Sequence, residues 1–302
     1  MKKFFINFII VIIALVVVDL LVSWLFKNWR NNFGLKGDYE KIEYMMKRFD
    51  GDILIMGSST AINSTKPSVL SRELGMKVFN GACSAQQLPF FDFIIDETVK
   101  HHKPRCILLA LTYMSLTSND YGRISLMNAY YDSGNNMLDT IVEHSSERPP
   151  LLLQSNLYRL NTIGFRILCS HFFLTNNTTK DGYSPHPVGG QEPILYEEKY
   201  NGPEFPIGMP LSHLEHIVKL CKESRIIIII YVAPMFRKTI GGQNAGIKLV
   251  DDFCTTHDIT FIDYSETFLD YPEYFYDNMH LNDKGADAFS ELFSADLKQI
   301  LK

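Results

Sequence analysis

The 302-residue sequence contains no pair of cysteines at CxxC spacing. Its five cysteines, Cys83, Cys106, Cys169, Cys221 and Cys254, form an odd, scattered set, which argues against a disulfide framework and against a cysteine-rich zinc site. A basic stripe is missing too. Lys and Arg number 29 against 34 Asp and Glu, a formal net charge of −5, so nothing is arranged to offset a phosphate backbone and nucleic acid is excluded as the main partner. No internal repeat is visible. His213 and His216, with Glu215 between them, miss the i, i+4 spacing of an HExxH zinc helix and read as an exposed helix face. What is present, 46% hydrophobic and 21% charged residues, is the composition of a folded protein with a real core. The length suits one large α/β domain or two small ones.

The longest apolar run lies at the start. Phe4 to Phe26, almost unbroken apart from Asn7 and Asp19, is long enough to cross a bilayer as a helix. A cleaved signal peptide has a shorter apolar region and a small-residue cleavage site. This run ends in Ser23-Trp24-Leu25-Phe26, the pattern of an uncleaved anchor with an interfacial Trp. Lys2, Lys3 and the terminal amine precede it, and Lys27 and Arg30 follow. The slight excess at the start predicts a cytoplasmic N-terminus and a main domain outside. A carboxyl group inside an apolar span is costly unless partnered. Asp19 therefore reads either as a contact with another membrane protein or, the favoured reading, as a residue that is protonated or within reach of the outer interface.

Five short runs read as strands: Asp52–Met56, Lys77–Asn80, Cys106–Leu111, Arg225–Ala233 and Ile259–Asp263. The unbroken Ile226–Ile230 is what a strand buried on both faces of a parallel sheet requires. Helical punctuation separates the strands. Pro67 opens a helix that Gly75 closes, Gln86–His101, Leu211–Ser224 and Asn244–His257 follow, and Asn282–Leu301 ends the chain. The alternation predicts an α/β fold, a flavodoxin-like doubly wound parallel sheet of about five strands in the order 2-1-3-4-5. Residues 115–206, rich in Tyr, Asn, Ser, Gly and Pro, break the pattern and form a long insertion after the third strand, expected to be a lid or a substrate-groove wall. The expected division is a membrane anchor over 1–30, a linker over 31–50 and the α/β domain over 51–302, with no second core.

Two distant motifs carry chemistry. Gly57-Ser58-Ser59 follows the first strand, and Asp277-Asn278-Met279-His280 precedes the last helix. Ligands in such sheets bind beyond the carboxyl ends of the strands. Ser59 follows the first strand and Asp277 and His280 follow the fifth, so chain order alone assigns them to one edge. A serine hydroxyl is a poor nucleophile until an imidazole takes its proton, and a carboxylate fixes that imidazole's tautomer. Ser59, His280 and Asp277 supply those three roles. Each motif alone has a plainer reading, a helix cap for Ser59 and ordinary solvated residues for Asp-x-x-His; their joint placement points to acyl chemistry. The hydroxyl-rich Gly57–Thr65 run also suits a phosphate loop, but it lacks the GxxxxGK[ST] pattern and leaves Asp277 and His280 without a role.

These blocks resemble the SGNH (GDSL-like) hydrolase superfamily. Ser59 stands at the family's nucleophile position, and Ser58 stands where many members carry Asp. Asp277-x-x-His280, followed by Leu281-Asn282 and Gly285, is similar to the family's last block. The resemblance runs from Gly51 to the end and implies a Ser-His-Asp triad with no cofactor and no metal. It also implies an oxyanion hole built from the amides of Ser59 and Ala82, the latter at the family's glycine position within Asn80-Gly81-Ala82-Cys83-Ser84. The family's third block offers an Asn side chain; here Leu111-Thr112-Tyr113-Met114 occupies the place, leaving Tyr113 or Asn119 as donors. Anchored branches of the superfamily include proteins that move acetyl or other acyl groups to or from envelope polysaccharides, often beside a multi-pass membrane acyltransferase, as the D-alanine transfer protein does. The resemblance thus implies an esterase or O-acyltransferase with a surface polysaccharide as substrate and such an acyltransferase as partner. A non-catalytic glycan-binding or scaffolding subunit is the reading left open.

Overall fold

Strands that are apolar on both faces pair where helices can cover both sides of a sheet. This computed structural model describes residues 1–33, 37–123, 126–131, 134–145, 150–160, 179–189, 193–200, 202 and 204–302. Its strands are β1 (Ile53–Met56), β2 (Val78–Asn80), β3 (Cys106–Leu111), β4 (Tyr196–Lys199), β5 (Ile227–Val232), β6 (Arg237–Ile240) and β7 (Thr260–Asp263). Five of them form a parallel sheet in the order β2-β1-β3-β5-β7, the doubly wound order predicted. Ile53 pairs with Val78 on one side and Cys106 on the other, and Cys106 pairs in turn with Ile227. Every residue of β1, β2 and β3 is buried.

The helices are α1 (Lys2–Phe33), α2 (Asp38–Lys47), α3 (Ser59–Ser64), α4 (Pro67–Leu74), α5 (Leu88–His101), α6 (Asn136–Ser145), α7 (Gly208–Ser224), α8 (Ala245–His257) and α9 (Asp283–Ile300). Their ends obey local rules. Gly75 closes α4 in the left-handed region at φ 66°, and the Asn244 and Asn282 side chains cap α8 and α9 by accepting from first-turn amides. Helices α3 and α4 pack against α9, and α5 packs against α7. Phe289 and Phe293 of α9 are fully buried beside Tyr231 of β5, whose hydroxyl is 2.9 Å from Thr65 Oγ1. Burying each such ring contributes about 1.5–3 kcal/mol.

The described residues fall into two compact units, one from Met1–Glu40 and Arg123–Asn176, the other from Lys41–Gly122 and Asn177–Lys302. The insertion is therefore divided. In the first unit α6 buries Leu138, Ile141 and Val142 at i, i+3 and i+4. In the second, β4 pairs in parallel with β6, Tyr196 opposite Arg237 and Lys199 opposite Ile240. The segment expected as a linker contains α2, which buries Tyr39, Ile42, Met45 and Met46. In α2 and in the β4–β6 pair the apolar residues are interleaved with Asp38, Glu40, Glu197 and Lys238, which hides these elements in the sequence.

Residues Lys2–Phe26 of α1 are long and apolar enough to cross a membrane. Phe4–Val18 are exposed throughout, whereas Asp19, Val22, Ser23 and Phe26, which share one helix face, are partly covered. Asp19 finds its partners within its own unit. Oδ1 accepts from Ser155 Oγ at 2.7 Å and Leu157 N at 2.8 Å, and Oδ2 accepts from Asn156 N at 3.0 Å and Asn156 Nδ2 at 2.9 Å. The Asp19 carboxyl is thus satisfied by this chain's own insertion.

Candidate active site

The nucleophile motif is shaped by a close approach. A Cβ on Gly57 would lie 2.8 Å from both Ala110 Cβ and Ala61 Cβ, so only glycine lets β1 turn into α3 beneath β3. Ser58 is the N-cap residue of α3, but its side chain makes no capping bond, and Ser59 is the first helical residue. The Ser59 hydroxyl is engaged elsewhere: Oγ lies 2.8 Å from His280 Nε2. The plain capping reading of this serine is thereby set aside.

His280 is held from its other side. Its Nδ1 lies 2.9 Å from each oxygen of Asp277, and Asp277 Oδ1 also accepts the amides of Met279 at 2.7 Å and His280 at 2.9 Å. Asp-x-x-His is thus a self-capped loop in which one carboxylate fixes both backbone and ring. Because carboxylate oxygens only accept, the neutral ring carries its proton on Nδ1 and turns the Nε2 lone pair to Ser59. Partial burial pushes the Asp277 carboxyl up, but the donors from His280 and Met279 outweigh it and hold the group below the usual carboxylate range.

A second imidazole beside the site was not singled out by sequence. His186 stacks on Tyr276 at 4.2 Å with an interplanar angle of 4°, and its edge meets the His280 ring at 5.6 Å. It comes from a strap, residues 179–188, stitched to both halves of the site. Asn80 N donates to Asp181 O at 2.8 Å, Asn63 Nδ2 to Ser184 O at 2.8 Å, and Asp283 N to His186 O at 2.9 Å. Gly182, at φ 89°, fits because a Cβ there would lie 2.0 Å from Asn80 O. Burial, reinforced by the neighbouring His280 charge and opposed by Asp277, holds the His186 imidazole below its usual range. The only signal in the sequence was Ser184-Pro185-His186-Pro187, a stiff segment inside a region otherwise read as loop.

The expected oxyanion donors are placed less favourably. Ser59 N sits in the first turn of α3, where amides lack intrahelical acceptors. Ala82 N instead donates to Asn80 Oδ1 at 3.1 Å, because Asn80 braces the loop while its Nδ2 donates to Ala61 O and Thr65 O. The amides of Gly81 and Cys83 are likewise taken, by Ile55 O and Gly57 O. In the turn that follows, Ala85 adopts φ 54°, and the amides of Ser84 and Ala85 bond no described residue. Tyr113 lies against the Arg237 guanidinium at 4.2 Å, and Tyr196 lies against the same group at 4.4 Å. Tyr113 and Arg237 line a cavity of about 340 Å³ beyond β5 and β7, with Asn244, Asp263 and Glu266. Asn119 is exposed, and among the described residues neither it nor Tyr113 bonds Ser59.

His213 and His216 are not a free helix face. Their Nδ1 atoms grip the two oxygens of Asp92, 1% exposed on α5, at 2.7 and 2.6 Å. Helical spacing of three residues places both rings over one buried carboxylate. Among the described residues no group of three or more His, Cys, Asp and Glu side chains is arranged to hold a metal ion.

No protein-family model matches the chain, and no curated protein matches its sequence. Among solved structures it is similar to one described as a "putative acylhydrolase" from Bacteroides fragilis NCTC 9343. The identity is 12%, the match covers 83% of this chain and 88% of that chain, and the TM-score is 0.42. At that level the likeness carries no functional argument, which rests on the site alone.

Proposed function

We propose that this chain is a serine acyl-ester enzyme with Ser59 as nucleophile, His280 as general base and acid, and Asp277 as the orienting carboxylate. The observation that supports it is the unbroken chain from Ser59 Oγ through His280, at 2.8 Å, to Asp277, at 2.9 Å. As Oγ bonds to the ester carbonyl carbon, His280 Nε2 takes its proton and the carbonyl pair moves onto oxygen. Collapse of that intermediate expels the alcohol, which leaves with the proton from His280. Water or an acceptor hydroxyl then repeats the sequence on acyl-Ser59, hydrolysing or transferring the acyl group. Asp277 favours the imidazolium formed at each step. The Ser59 amide, at the start of α3, faces the developing oxyanion.

The apolar α1 and the SGNH-like motif order support a finer reading, a membrane-anchored esterase or O-acyltransferase of envelope glycan with its sheet unit outside the cell. The non-catalytic alternative draws support from Ala82, whose amide is spent on Asn80; a lost oxyanion donor costs about 3 kcal/mol of transition-state stabilisation. A fluorophosphonate probe separates the two. Labelling of wild type and none of Ser59→Ala supports the enzyme; equal labelling of both, or none of either in folded protein, removes it. Comparing acyl release to water with transfer to an oligosaccharide then distinguishes esterase from transferase. Protease access in intact and lysed cells tests the orientation.

A further inference from the structure

The Asp19 tie fixes more than a side chain. A helix rises 1.5 Å per residue, and a bilayer core of about 30 Å takes about 20 apolar residues. Phe4–Val18 cover only about 22 Å of it. A span that fills the core therefore continues past Asp19 towards Trp24, over Leu20 and Leu21, which are 60% and 52% exposed. Asp19 then lies about 7 Å inside the level of Trp24. Whatever bonds Asp19 directly lies at that depth with it.

What bonds it is backbone as well as side chain. Asn156 N and Leu157 N are first-turn amides of the helical stretch 156–160, groups with no acceptor inside their own helix. Backbone N–H groups within hydrocarbon must be paired inside the protein, and the Asp19 carboxyl pairs these two. Around the tie, Leu151, Leu152 and Leu157 are 78%, 40% and 50% exposed. On the polar side of the same turn, Arg159 Nη2 donates to Asn156 Oδ1 at 2.9 Å and Nη1 to Tyr131 O at 2.7 Å. Leucines on one side and a paired arginine on the other make this stretch amphipathic.

We propose that residues 150–157 are embedded in the bilayer beside α1, with Leu151, Leu152 and Leu157 against lipid acyl chains in the leaflet on the Trp24 side. The proposal rests on reading α1 as a membrane span. Lipid is the occupant because these leucines belong to the segment that Asp19 holds directly against the bare apolar α1, at a depth where acyl chains surround that helix. The insertion is thereby a second membrane contact, and it sets the depth of the unit it belongs to.

The test uses the full chain in phosphatidylcholine liposomes that contain doxyl-labelled lipid. Cys83, Cys106, Cys221 and Cys254 are buried, so after Cys169→Ser a single introduced cysteine accepts a fluorophore. Bimane is placed at Val16→Cys on α1, at Leu152→Cys and Leu157→Cys on the segment, and at Lys238→Cys on β6. Doxyl lipid should quench the first three at least two-fold and leave the fourth unchanged. Quenching at Val16 without quenching at Leu152 and Leu157 overturns the proposal and leaves the span standing. No quenching at Val16 removes the span reading, and the proposal with it. Asp19→Ala, with the milder Ser155→Ala as a second variant, should halve the quenching at Leu152 and leave Val16 unchanged; full quenching in both variants overturns the role given to the tie.

Discussion

At the edge of the sheet, Asp277 holds His280 at 2.9 Å; between α5 and α7, Asp92 holds His213 at 2.7 Å and His216 at 2.6 Å. The groups and distances match, yet their surroundings do not. The Asp277 side chain is 47% exposed and spends its remaining acceptor capacity on its own loop, whereas Asp92 is 1% exposed and gives both oxygens to imidazoles. The far nitrogen of His280 meets the Ser59 hydroxyl, and no described hydroxyl bonds the far nitrogens of His213 or His216. A carboxylate–imidazole pair is therefore no signature of catalysis. What distinguishes the edge pair is a serine hydroxyl on the other imidazole nitrogen.

The largest expected effect breaks the comparison outright. Ser59→Ala or His280→Ala should lower kcat on a p-nitrophenyl ester about 10⁶-fold, since members of such a triad act as one unit. Next, Asp277→Asn should cost about 10⁴-fold with folding retained, because the amide fixes the wrong ring tautomer. Equal loss from Asp92→Ala would erase the distinction between the two pairs. Asp92→Ala should instead leave turnover per folded molecule unchanged and lower unfolding stability by about 2 kcal/mol in a urea titration, since it removes the acceptor of two imidazole Nδ1 groups.

Those two pairs also show what the sequence makes legible. The sheet order and the strand-end positions of Ser59, Asp277 and His280 follow from local signals, apolar runs and helix punctuation, together with the rule that sites gather beyond strand ends. Asp92 with His213 is set by packing between helices far apart in the chain, and nothing periodic in α7 announces it. The same holds for Asp19 with Ser155 and for β4 with β6. The bond that the Ala82 amide makes to Asn80 is hidden for a subtler reason. Backbone amides are assigned by loop conformation, and the Asn80 side chain that takes this one cannot be seen in the motif Asn-Gly-Ala.

His186 offers the finest test, because its ring meets the edge of His280 at 5.6 Å. Burial, with the His280 charge adding to it, lowers the proton affinity of the His186 ring and so favours its neutral form. For both His186 and Asp277 the folded state binds protons less readily than the unfolded chain. Each therefore contributes stability that is present above its unfolded value and lost as pH falls through its folded one, through the imidazole range for His186 and below the carboxylate range for Asp277. His186→Phe keeps a ring on Tyr276 and should change fluorophosphonate labelling at neutral pH by less than about three-fold, a mild packing effect. His186→Lys fixes a positive charge near His280 and disfavours its protonated form. Labelling at neutral pH should fall about ten-fold and the acid limb of the rate profile should move down by about one pH unit, a shift worth 1.36 kcal/mol. If Phe and Lys give the same rate and the same limb, the strap positions the site by packing alone, and the charge at residue 186 has no part in the chemistry at Ser59.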